Sequence, residues 1–190
     1  MKKLVTIFGP SECQQGDPIY DRAYSLGSLL GDAGFAVVTG GYDGVMEAAS
    51  KGAHDAGGGT VGVTANVYLN RGRIANEFVK KELRVSSAVD RLMELISLAD
   101  AYVACGLSPG TLVEVATVWD YFIKGFIEHR PLVLLGAEWR LFYDSLALQP
   151  GYIGKLGHVT IVDTPQQALD IIHAALGPQE KLPDLTIIEN

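Results

Sequence analysis

At 190 residues, with 48% hydrophobic and 19% charged side chains, the chain is long enough to bury a full core and too apolar to remain disordered. Its net charge of −7 argues against a nucleic-acid backbone as partner, which asks for a basic face, but leaves room for a small phosphorylated ligand held by local donors. No apolar run approaches the roughly 18 residues of a membrane span. The run after the basic start breaks at Gly9-Pro10, so we read a strand there instead of a signal peptide, and a cytoplasmic protein away from membranes.

Lys3 to Gly9 is a short apolar run of the kind that forms a central buried strand. Asp17-Pro18 marks a helix start, Tyr20, Ala23, Tyr24, Gly27 and Leu30 recur at helical spacing, and Gly31 and Gly34 close that helix. Phe35 to Thr39 reads as a second strand, and Thr60 to Thr64 as a third. Between them lies Thr39-Gly40-Gly41-Tyr42-Asp43-Gly44, a glycine turn leading into a helix that runs to about Ala56. Its spacing is not that of the dinucleotide fingerprint, because Thr39 stands where the first glycine belongs. Two readings stay open: Gly40, Gly41 and Gly44 let backbone amides approach an anion at a helix N-terminus, or they make a tight turn and nothing more.

Ala65 to Leu83 has no clear period and carries Arg71, Arg73 and Asn76. A connection of that length is either a substrate lid or a short helix from Glu77 to Lys81 followed by a further strand. Ser86 or Ser87 can cap the next helix, which carries Arg91 and leads into an apolar strand ending at Cys105. Beyond it, Gly106-Leu107-Ser108-Pro109-Gly110-Thr111 opens a helix that passes Glu114, Trp119 and Phe122 and stops at Gly125. Leu132 to Leu135 is a strand, Trp139 to Leu148 a helix, and His158 to Val162 a final strand. Thr164-Pro165 starts a last helix to about Leu176. This alternation predicts a Rossmann-like, doubly wound and mostly parallel sheet with helices on both faces. Residues 1–176 form one domain in this reading, and residues 177–190 a tail.

Arg91 to Glu114 places a cation, an anion cradle and a carboxylate near the carboxyl end of one parallel strand, where ligands bind in such sheets. Each feature also has a plain structural explanation. Thr111-Leu112-Val113-Glu114 fits a capping box, and Arg91 fits a solvated or snorkelling side chain. His54, His129, His158 and His173 show no ligand pairing, and Cys13 and Cys105 no metal-ligand spacing. Cys105 reads as a buried side chain and Cys13 as a free thiol in a polar loop.

The chain resembles the Lonely Guy (LOG) family, often labelled lysine decarboxylases, over about Leu4 to Leu176. Thr39 to Ala49 is similar to the family's T-G-G-G-x-G-x-M-E-A-A, and Gly106 to Glu114 falls on P-G-G-x-G-T-x-x-E. Arg91 matches the family's catalytic arginine and Asp100 its helix-to-strand aspartate, in one ungapped register. The resemblance implies hydrolysis of the N-glycosidic bond of a nucleoside 5′-monophosphate such as AMP by a homodimer, with no metal or organic cofactor. Arg91 and Glu114 would be catalytic, with Arg91 positioning Glu114 or the leaving base. Ser108, Gly110 and Thr111 would hold the phosphate, and Gly40, Gly41 and Gly44 would sit against sugar or base. Leu107 and Ser108 replace two glycines of the pattern. Were left-handed backbone required there, each would cost about 1–2 kcal/mol. Such a loop would also suit capture without turnover, so the second expectation is a nucleotide or molybdopterin-type cofactor carrier on the same scaffold.

Overall fold

The structure, a computed structural model, describes residues 2–148 and 156–180; the expected tail lies outside the described residues from Lys181 onward. Seven strands form one sheet: β1 (Leu4–Phe8), β2 (Ala36–Thr39), β3 (Gly59–Ala65), β4 (Lys81–Val85), β5 (Ala101–Cys105), β6 (Leu132–Leu135) and β7 (Thr160–Val162). Their spatial order is β4-β3-β2-β1-β5-β6-β7, and every neighbouring pair is parallel. The helices are α1 (Pro18–Asp32), α2 (Val45–Asp55), α3 (Asn66–Leu69), α4 (Ala88–Leu98), α5 (Pro109–Lys124), α6 (Ala137–Ala147) and α7 (Pro165–Leu176). The expected Rossmann-like architecture is therefore present.

Because successive side chains of a strand point to opposite faces, the apolar strands feed two cores. Val5, Ile7, Val37 and Val103 pack under α1, α2 and α7, whereas Leu4, Phe8, Val38 and Tyr102 pack against α4 and α5. Asp100 accepts hydrogen bonds from the Leu4 amide (2.9 Å) and from Lys3 Nζ (2.8 Å). It thereby pins the start of β1 to the start of β5, at the end of the sheet away from the pocket described below.

Several local expectations shift. The segment from Ala65 places its helical turn at Asn66–Leu69 and not at Glu77 to Lys81, and its further strand is β4. Lys81, Glu82, Leu83, Arg84 and Val85 alternate between half-buried and exposed, as suits an edge strand with one covered face. The last strand begins at Thr160, after a short 3₁₀ turn at Leu156–His158. Ser87 does cap α4, in a reciprocal box with Asp90.

Candidate functional site

Strand order reverses between β1 and β5, and the loops leaving those two strands diverge there to leave a crevice. A cavity of about 410 Å³ fills it, within the range of small-molecule sites. Its walls are the loop after β1 (Gly9 to Glu12), Tyr42 and Met46 after β2, Tyr68, Arg71 and Arg73 from α3 and its following loop, Arg91 of α4, and Ser108 to Thr111 with Glu114 at the head of α5.

Arg91 is held on every side. Its Nε donates to the Val63 carbonyl (2.8 Å) and its Nη2 to Met46 Sδ (3.4 Å). Its guanidinium carbon lies 5.3 Å from the Tyr42 ring centre and 5.6 Å from that of Tyr68, so two aromatic faces receive the cation. Gly40 makes this seat possible: a Cβ there would overlap Arg91 Nη2. The solvated or snorkelling alternative does not describe such a residue.

Glu114 borders the same cavity, partly exposed on that side and enclosed by protein elsewhere. Burial pushes its carboxyl up to about 7, with the Arg91 charge pulling partly back. No hydrogen bond or ion pair joins it to Arg91 among the described residues, so the two groups interact through space. The capping box expected at Thr111 and Glu114 is absent. Pro109 takes the first helical position, as its fixed φ and missing N–H favour, which moves the cap three residues back to Ser108. Ser108 Oγ accepts from the Thr111 amide (3.2 Å) and lies 2.9 Å from Thr111 Oγ1. The Glu114 carboxyl is thus left without a capping duty.

The loop between β5 and α5 carries no strain at its non-glycine positions. Gly106 alone has positive φ, at 87°, while Ser108 is extended at −151°. Neither Leu107 nor Ser108 is left-handed, so the cost of about 1–2 kcal/mol each that such a backbone would impose does not arise. The Gly110 amide has no partner among the described residues, and the space a Cβ would take there is open. Together with the Ser108 and Thr111 hydroxyls it offers donors at the positive end of α5.

Gly40, Gly41 and Gly44 sit behind the wall, not on it. Gly41 (φ 77°) packs against Thr64 and Gly62, and Gly44 (φ 68°) lies against the backbone of Pro10 and Ser11. Asn76 fastens this turn, donating its amide to the Gly41 carbonyl and its Nδ2 to that of Tyr42, both at 2.8 Å. The Tyr42 hydroxyl accepts from the Ala65 amide (3.1 Å).

Sequence reasoning assigned no site role to Tyr42, Tyr68, Arg71 or Arg73. The signal available for the arginines was Arg71-Gly72-Arg73 in a connection leaving the carboxyl end of a strand. Arg73 forms an open ion pair with Asp43 (3.8 Å; 47% and 69% exposed), and Arg71 has no side-chain partner among the described residues. Cys13 is half-buried, and burial, with Asp17 nearby, raises its thiol; burial takes Cys105 up to about 12. Neither is a ready thiolate. Among the described residues no three His, Cys, Asp or Glu side chains cluster as metal ligands, and no helix is long and apolar enough to cross a membrane.

Residues 2–163 match the profile of the SLOG cluster4 family. A probable cytokinin riboside 5′-monophosphate phosphoribohydrolase of Oryza sativa subsp. japonica is 32% identical over 148 residues, 77% of this chain and 57% of that protein. The chain thus spans little more than half the length of this plant relative. Among solved structures, the molybdenum cofactor binding protein of Rippkaea orientalis superposes with a TM-score of 0.72 at 27% identity, over 92% of this chain and 97% of that one. The molybdenum cofactor carrier protein of Chlamydomonas reinhardtii gives 0.72 at 25% identity, over 92% and 98%.

Proposed function

The chain belongs to the SLOG cluster4 family, a LOG-like group, and from that premise we propose that it is a nucleoside 5′-monophosphate phosphoribohydrolase, releasing free base and ribose 5-phosphate. One observation carries this reading: a carboxyl free of hydrogen bonds, Glu114, faces a cavity it shares with a fixed guanidinium and with unpaired donors at a helix N-terminus.

The chemistry follows from these groups. The Gly110 amide is one donor for the 5′-phosphate. Ser108 Oγ and Thr111 Oγ1 share one hydrogen between them and keep the other hydroxyl hydrogen for the anion. In the reaction the bond from C1′ to the base nitrogen breaks with its electron pair leaving on the base, and positive charge grows on the ribose. The Glu114 carboxylate stabilises that charge and takes the proton of the water whose oxygen bonds to C1′. A carboxyl near 7 suits this work at neutral pH, since it is substantially ionised yet basic enough to accept a proton. Arg91 favours the ionised form of Glu114 through space and faces the leaving base, which takes a proton from solvent as it departs, while Glu114 returns the water's proton to solvent. Gly40, Gly41 and Gly44 serve the sugar or base indirectly, by seating Arg91 and Tyr42.

The protein works as a homodimer in this proposal. Val89 and Met93 of α4 and Val113 of α5 are exposed apolar residues, and the Tyr121 hydroxyl reaches Met93 Sδ (3.7 Å) to tie the two helices side by side. The experiment is to incubate the protein with AMP and a nucleotide panel and to quantify released base. The reading expects release by the wild type and its loss in Glu114→Ala; equal release by both refutes the assignment.

The structural similarity to the molybdenum cofactor proteins favours a second reading, a binding or carrier protein for a phosphorylated cofactor. Tight binding of a phosphorylated ligand with no base released from any nucleotide selects it.

A further inference from the structure

The cavity has two kinds of anion-attracting wall, built on different elements. At the head of α5 the donors are neutral: one amide and two hydroxyls. The opposite wall carries full cations, Arg71 and Arg73, on the loop that follows β3 and α3. The strands that lead into the two walls, β3 and β5, are separated by β2 and β1, three strand spacings or about 14 Å at the strand ends. The cationic wall is also uncommitted: Arg71 has no side-chain partner among the described residues, and the Arg73 pair with Asp43 is long and largely solvated, so an incoming anion displaces it at little cost. Arg91 lies over one face each of Tyr42 and Tyr68.

Resting on the nucleotide reading of this site, we propose that Arg71 and Arg73 form a second anion subsite, and that the ligand is a nucleotide bearing an additional anionic group at the end remote from its 5′-phosphate. Planar guanidinium groups bind phosphate and carboxylate through paired charge-assisted hydrogen bonds, so a phosphate on the ribose 3′-oxygen and a carboxylate on the base are the two sources of that chemistry.

Titration calorimetry in the Glu114→Ala background, which the nucleotide reading expects to bind without turnover, with AMP, adenosine 3′,5′-bisphosphate, orotidine 5′-monophosphate and ADP separates them. ADP is the control, since its second phosphate adjoins the first. We expect the bisphosphate or the orotidine nucleotide to bind at least about tenfold tighter than AMP and ADP. Arg71→Gln/Arg73→Gln should erase that gain while leaving AMP affinity within about twofold. Whichever of the two ligands shows the gain identifies the source. Equal affinities across the panel, no binding at all, or an equal loss of AMP affinity in the double variant overturns the subsite. AMP cleaved normally with no gain from a second anion sinks the subsite and leaves the hydrolase. An arginine-dependent gain with no base released from any nucleotide does the reverse.

Discussion

Replacing Glu114 by glutamine should stabilise the protein at alkaline pH and leave its stability unchanged in acid. A carboxyl that titrates at 4.5 when unfolded and at about 7 when folded binds its proton more tightly in the native state. Its stabilising effect is complete below the unfolded value and is lost as pH rises through the folded one. At 1.36 kcal/mol per pH unit, the ionised carboxylate costs the fold about 3 kcal/mol at pH 8. Glutamine keeps the shape without the charge, and no hydrogen bond to Glu114 is lost. Urea unfolding of wild type and Glu114→Gln at pH 4, 6 and 8 reads the difference directly. It should be near zero at pH 4, intermediate at pH 6 and about 3 kcal/mol in favour of the variant at pH 8. A pH-independent difference, or a variant less stable at pH 8, would refute the claim that a buried, unpaired carboxyl lines this cavity.

Ser108→Ala should cost about 1 kcal/mol in urea midpoint stability through loss of the α5 cap, whereas Leu107→Gly, which restores a glycine of the family pattern, should bring no gain, because Leu107 is not left-handed. Gly40→Ala should destabilise by about 1–3 kcal/mol and slow base release by displacing Arg91; full activity in the alanine variant would contradict the seat described for that side chain. Val113→Asp should convert a dimer into a monomer in sedimentation analysis if α4 and α5 face a second copy, and an unchanged mass would place the contact elsewhere.

The architecture was legible because the chemistry of each strand is local. Val, Ile and Ala runs ending in Gly9, Thr39 and Cys105 mark β1, β2 and β5, and the helix stop at Gly125 needed only its left-handed cap, φ 67°. β4 was ambiguous because an edge strand with charged alternate positions carries no apolar run. The cap of α5 was misplaced by three residues because two Ser/Thr hydroxyls competed and only backbone position decides between them. Arg91 and Glu114 were singled out by their place on either side of one strand and by one register with the family, and the fold lines a single cavity with both. Arg71 and Arg73 gave no periodic signal, and the aromatic seat of Arg91 joins Tyr42, Tyr68 and Gly40 from three separate segments.

The central claim is that Glu114 and Arg91 act on one nucleotide. Chromatographic quantification of adenine and ribose 5-phosphate from AMP, with wild type, Glu114→Ala and Arg91→Ala side by side, tests it most directly. The account predicts stoichiometric release of both products by the wild type and a loss on the order of a hundredfold or more in each variant, with folding retained. Release that survives either substitution intact would contradict it.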